Sequence, residues 1–146
     1  MIRVVLSLML LALPLLSAPA LAQEQGDEPE IVQHMKSMNG ILRQLRRLSR
    51  DAANKTAVLD MIEEFRGHAL AAQKEAPLKT PDLPETEREA FVKEYRQTIE
   101  KMLSTLDQFK AAVEDEDVEQ SQQILRRLFD WKKQGHDQFR KEEDTR

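Results

Sequence analysis

The 146-residue chain contains no cysteine. This excludes disulfide bridges, cysteine-ligated iron–sulfur clusters and the thioether attachment of a c-type haem. Glycine is scarce, at four residues, and no glycine-rich phosphate loop can be drawn. Basic residues do not exceed acidic ones, 22 against 26, which argues against a nucleic-acid surface. There is no nucleophile constellation and no Glu-x-x-His carboxylate set, so hydrolytic and phosphoryl-transfer enzymes find no support and the chain is not expected to be an enzyme. Proline is confined to positions 14, 19, 29, 77, 81 and 84. Stretches 30–76 and 85–146 therefore lack the residue that most reliably breaks helices.

The only long apolar run is at the start. Arg3 precedes an apolar segment from Val4 to Leu16, interrupted by Ser7 and Pro14 and ending in Ala20-Leu21-Ala22. This reads as a cleaved signal peptide over 1–22, too short to span a bilayer. The mature chain, 23–146, then has 124 residues, enough for one domain, with 21 basic and 26 acidic side chains and a formal charge of −5. It contains no membrane span, and the expected location is the periplasm. An unstapled domain of this size depends on a well-packed core or a bound cofactor.

The proline-free stretches are rich in helix formers, and each is long enough to be a helical hairpin. The predicted helices cover about 28–50, 54–75, 85–114 and 117–141. The first carries Ile31, Met35, Met38, Leu42 and Leu45 on one face, with Asp27 as expected cap and Pro29 in its first turn. The second, capped by Asn54, carries Val58, Met61, Ile62, Phe65, Ala69 and Ala72. The run APLKTPDLP over 76–84 is the one real loop. The third helix carries Phe91, Tyr95, Ile99, Met102, Leu106, Phe109 and Val113. Asp117 can cap the fourth, which aligns Leu125, Phe129, Lys132, His136 and Phe139. The fold class is thus all-α: an antiparallel up-down-up-down four-helix bundle preceded by a signal peptide.

Two of these stripe residues can carry chemistry. An imidazole on an apolar face, His136, is either a core histidine bonded to a neighbour or a metal ligand. A methionine on such a face, Met35, is ordinarily a gap filler. Together they read differently. Met35 lies about seven residues into the first helix, and His136 about seven from the end of its antiparallel neighbour, the fourth. At ~1.5 Å rise per residue both fall at one depth, roughly 10 Å from the same end. A thioether and an imidazole so placed can bind opposite faces of one haem iron, an electron-transfer arrangement.

At these residues the sequence resembles the cytochrome b562 family, over about 28–140. The most distinctive positions are His34-Met35-Lys36-Ser37-Met38-Asn39, then Arg66, Ala69 and Ala71-Ala72-Gln73-Lys74 into Pro77, then His136, Gln138 and Arg140. The resemblance implies one non-covalent haem b with Met35 and His136 as axial ligands. It places Met38, Phe65, Phe91 and Tyr95 on the apolar and aromatic lining and Pro77 in the loop over the haem edge. Lys132 and Arg140 would meet the propionates, Lys132 standing where the family has an arginine. Gly135 replaces the family's aromatic residue. The implied role is a periplasmic electron carrier with an unidentified redox partner, and the chain is expected to be a monomer.

Other readings stay open at this level. His34, Met35 and Met38 offer an imidazole and two thioethers within about a turn, a set suited to Cu(I) in a copper-handling protein. A haem-free bundle acting as a binding or chaperone protein would need an exposed apolar groove. His34 turns about 100° from Met35 and is expected at the rim. His68, at the flank of the second helix, is expected at a boundary, with a rival iron ligand as the alternative.

Overall fold

A computed structural model describes residues 28–141, so the signal-peptide expectation over 1–22 lies outside the described residues. Four helices follow one another: α1 (Glu30–Leu48), α2 (Lys55–Lys74), α3 (Glu85–Glu114) and α4 (Val118–Phe139). They form the expected four-helix bundle, and no strand occurs among the described residues. Every apolar stripe turns inward. Leu45, Ile62, Phe65, Leu106, Phe109 and Leu128 are fully buried at its centre, because residues at steps of three and four share one helix face.

The helix ends differ from expectation in two places. Pro29 is the residue before α1, not part of its first turn, and its carbonyl accepts from the N–H groups of Val32 (2.9 Å) and Gln33 (3.2 Å). Asp27, the expected cap, lies outside the described residues. Asn54 precedes α2, but its side chain does not cap that helix. Its amide reaches back to donate to the Leu48 carbonyl at the end of α1, 3.1 Å away. The short turn between the helices puts those orphan carbonyls within reach. Asp51 instead caps a 3-10 turn, Ala52–Asn54, accepting from the Ala53 N–H at 2.9 Å. At the α3–α4 turn Asp117 does cap α4, accepting from the Gln120 N–H at 2.9 Å. Glu116 there adopts φ 58°, the left-handed region.

The bundle has two distinct ends. At one end the α1–α2 and α3–α4 turns meet, and Lys55 Nζ donates to the Glu114 carbonyl at 2.6 Å. At the other end lie the start of α1, the end of α4 and the loop between α2 and α3. Backbones approach closely along α1–α2, α2–α3 and α3–α4, and much less along α1–α4. That fourth seam is crossed by polar and cationic contacts. Gln122 Nε2 donates to Ser49 Oγ at 2.8 Å, the Arg46 guanidinium lies 5.6 Å from the centre of the Phe129 ring, and Lys132 Nζ donates to Asn39 Oδ1 at 2.6 Å. The seam opens in the residues beyond Asn39 and Lys132, toward the loop end.

Candidate functional site in the open seam between α1 and α4

The opening is a cavity of about 280 Å³. Its floor and walls are apolar: Leu42 from α1, Phe65 from α2, Ile99 and Met102 from α3, and Phe139 from α4. Pro77 and Leu78 bring the inter-helix loop to its edge. Each helix contributes because its buried stripe runs on past the point where the α1–α4 seam parts, leaving side chains with no partner across the gap.

Met35 and His136 both line this cavity, one from α1 and one from α4. Met35 is half-buried, whereas His136 is exposed at the mouth. Partial desolvation pushes the His136 pKa below its ordinary value, and the positive charges of Lys132 and Arg140 push it the same way, with Asp137 opposing. Neither ring nitrogen makes a hydrogen bond among the described residues, so a neutral imidazole with an available lone pair is favoured at neutral pH. A thioether carries no charge to neutralise. Both donors, one soft and one borderline, thus line a pocket whose walls are apolar and whose mouth carries Lys132 and Arg140.

Met38, Phe65, Pro77, Tyr95, Lys132 and Arg140 line the same cavity. Tyr95 is buried, and its hydroxyl donates to the Ala72 carbonyl at 2.9 Å, fixing α3 to the end of α2. Burial pushes that phenol well above its ordinary pKa, with the Glu75 charge adding to the effect, so it stays a neutral donor. Phe91 is placed elsewhere. It does not line the cavity, but packs edge-on against Phe139 with ring centres 5.2 Å apart. Phe139 also meets Tyr95 edge-on at 5.3 Å, so the ring supplied by α4 forms the wall and Phe91 supports it.

The cavity is also lined by Asn39, Trp131 and Phe139, which carry weaker sequence signals. Phe139 had a usable signal, three positions after His136 on the same stripe. Asn39 had none, because its role depends on the cross-helix bond from Lys132. Trp131 lines the cavity and its Nε1 donates to Thr105 Oγ1 on α3 at 3.1 Å, steadying α4 a turn before His136.

The copper trio is split by helix geometry. Met35 and Met38 face the cavity, while His34 turns to α2 and meets His68. His68 is correspondingly directed at His34 and is not among the cavity residues. As for an exposed apolar groove, Leu70 is the one large hydrophobic exposed among the described residues.

The fold and site together define a helical bundle with a ligand-sized, donor-bearing cavity at one end. The family model for cytochrome b562 matches residues 30–140, and the chain belongs to that family, itself a standard example of the up-down-up-down bundle. Membership implies a haem-binding helical bundle of the electron-transfer type. Searches of the curated proteins and of the solved structures found no match. Among the described residues, no helix is long and apolar enough to cross a membrane.

Proposed function

We propose that this protein is a periplasmic electron carrier that holds one haem b non-covalently between α1 and α4, with Met35 and His136 as axial ligands. The observation that carries the reading is the convergence of these two side chains, from different helices, on one apolar cavity. The donor set, the apolar walls and the cationic mouth all suit a flat apolar macrocycle with anionic edge groups. When bound, haem supplies a one-electron ferrous/ferric couple.

The chain's own residues have separate tasks. His136, its proton disfavoured by partial burial and then by Lys132 and Arg140, presents a lone pair. Met35 presents a neutral sulfur. Phe65, Ile99, Met102 and Phe139 exclude water, and Tyr95 ties the wall to the end of α2. Lys132 and Arg140 place positive charge at the mouth, where carboxylates would lie. Met35 and His136 would together hold the iron, and the one-electron chemistry it would supply there fits electron transfer. Residues 1–22 as a cleaved leader account for export, leaving 23–146 as one monomeric domain that meets an unidentified redox partner.

The test is the visible spectrum of the reduced protein with added haem. Sharp low-spin bands are expected in the wild type, and both Met35→Ala and His136→Ala should lose them. Retention of the wild-type spectrum in both variants overturns the ligand assignment.

A further inference from the structure

Charge is distributed unevenly around the bundle. Between Ile31 and Arg50 the chain has Lys36, Arg43, Arg46, Arg47 and Arg50 but no aspartate or glutamate. Positions 39, 43 and 46 of α1 follow steps of four and three, and so share one face. Asn39 and Arg46 of that face meet Lys132 and Phe129 of α4, so Arg43 between them flanks the α1–α4 seam. Positions 122, 126, 129 and 133 of α4 repeat the pattern. Gln122 and Phe129 meet α1, which puts Arg126 and Lys133 along the other bank of the seam. The acids Asp130 and Asp137 stand farther round α4 from α1.

Arg43, Arg46, Arg47, Arg126 and Lys133 are all exposed, and none forms an ion pair among the described residues. The α2–α3 seam is treated differently. There Arg66 reaches Glu63 and Asp107, and Lys110 reaches Glu63 at 2.7 Å. The helix dipole accounts for Arg46 and Arg47, which lie in the last turn of α1. It does not account for Arg126 and Lys133, which lie within α4. Like charges four residues apart, such as Arg43 and Arg47, repel each other, so the fold gains nothing from the array.

We propose that this cationic stripe is the docking surface for an acidic redox protein. The proposal rests on the electron-carrier reading and gives the partner its chemistry. The stripe follows the one seam that opens into the cavity, with Lys132 at the junction, so a partner held there by opposite charge sits where an electron must enter or leave. Complementary charge of this kind speeds encounter and fixes orientation. An anionic lipid surface fits less well. Pressed on this face it would close the cavity mouth, and Leu70, the one large exposed hydrophobic among the described residues, belongs to α2.

The haem-loaded, reduced protein is mixed in stopped flow with hexacyanoferrate(III), which takes one electron to become hexacyanoferrate(II) as the iron passes from ferrous to ferric. The chain's net charge of −4 would repel this anion, and added salt would then speed the reaction. The stripe predicts the reverse: slowing by about threefold or more as salt rises from about 0.01 to about 0.2 M. Arg43→Glu combined with Arg47→Glu should slow the low-salt reaction by about threefold or more. Lys93→Glu combined with Lys101→Glu changes net charge equally at exposed sites on α3, and should slow it much less. A second readout uses the haem-free protein: poly-L-glutamate should shift the Arg43 and Arg126 side-chain nitrogen resonances first, and should bind the arginine variant more weakly. Acceleration by salt, or equal rates in the two double variants, overturns the docking surface. So does arginine-dependent binding to phosphatidylglycerol vesicles without binding to polyglutamate, which assigns the stripe to lipid. A protein that takes up no haem overturns the electron-carrier reading instead, and the polyglutamate titration still decides the stripe.

Discussion

The two ends of this bundle are built from the same kinds of residue and packed to different degrees. At the end holding the two short turns, the void between the helices is only about 20 Å³. Leu45, Phe109 and Leu128 are fully buried in the body of the bundle, and Gln122 and Arg46 reach across the α1–α4 seam. At the loop end the same seam encloses about 280 Å³. One end stabilises the fold, and the other leaves apolar surface and two donors available to a ligand. A pocket of this kind needs no special secondary structure. It needs one of four seams to be left incomplete.

The largest test of that contrast is truncation. Leu128→Ala removes a fully buried side chain from the packed region and should cost about 2–5 kcal/mol in chemical unfolding of the haem-free protein. Met38→Ala, whose side chain already borders the cavity, should cost about 2 kcal/mol or less, since less is lost where one side has no partner. Equal costs would mean the two ends are packed alike. Removing one hydroxyl has the next largest effect. Tyr95→Phe leaves the Ala72 carbonyl without its side-chain donor and should cost about 1–2 kcal/mol, measured the same way.

Two backbone substitutions sharpen the comparison by stabilising opposite ends. A Cβ at Gly135 would meet nothing within 4 Å, so Gly135→Ala should gain up to about 1 kcal/mol through helix propensity beside the cavity. Glu116→Gly at the opposite end relieves a left-handed residue and should gain about 1 kcal/mol. The exposed contact from Lys55 that it removes contributes little. If calorimetry shows Gly135→Ala to be destabilising, the end of α4 is not the unobstructed helix described above.

The smallest effect is in pH. The folded state depresses the His136 pKa below its ordinary 6.5, so the unfolded chain binds that proton more readily. The associated stability of the haem-free protein is complete above about pH 6.5 and declines as pH falls below it. His136→Ala should remove that part of the decline. Unfolding curves at about pH 7.5 and pH 5.5 in both proteins check the sign, and a steeper acid loss in the variant would contradict it.

Much of this was legible in the chain itself. Proline placement and three–four spacing marked all four helices, with ends moved by a residue or two, and Asp117 was readable as a cap. The shared depth of Met35 and His136 followed from rise per residue and antiparallel order, and both line one cavity. The less legible features were those that depend on which neighbour a side chain meets. Asn54 was expected to cap the helix ahead of it and reached the one behind. Phe91 and Phe139 share an aromatic cluster, yet only Phe139 borders the cavity. His34 and His68 stand 34 positions apart, and nothing in the sequence pairs them.

By itself, then, the sequence determined the helices, the faces they bury, the absence of cysteine chemistry and the residues able to donate to a metal. Only the tertiary structure decided that the α1–α4 seam parts beside Met35 and His136, that Lys132 is bonded to Asn39, and that His34 meets His68. The physical reason is that periodicity fixes a residue's face to within one helix. Contact between helices also depends on their relative rotation and separation, which the packing of all four stripes sets together.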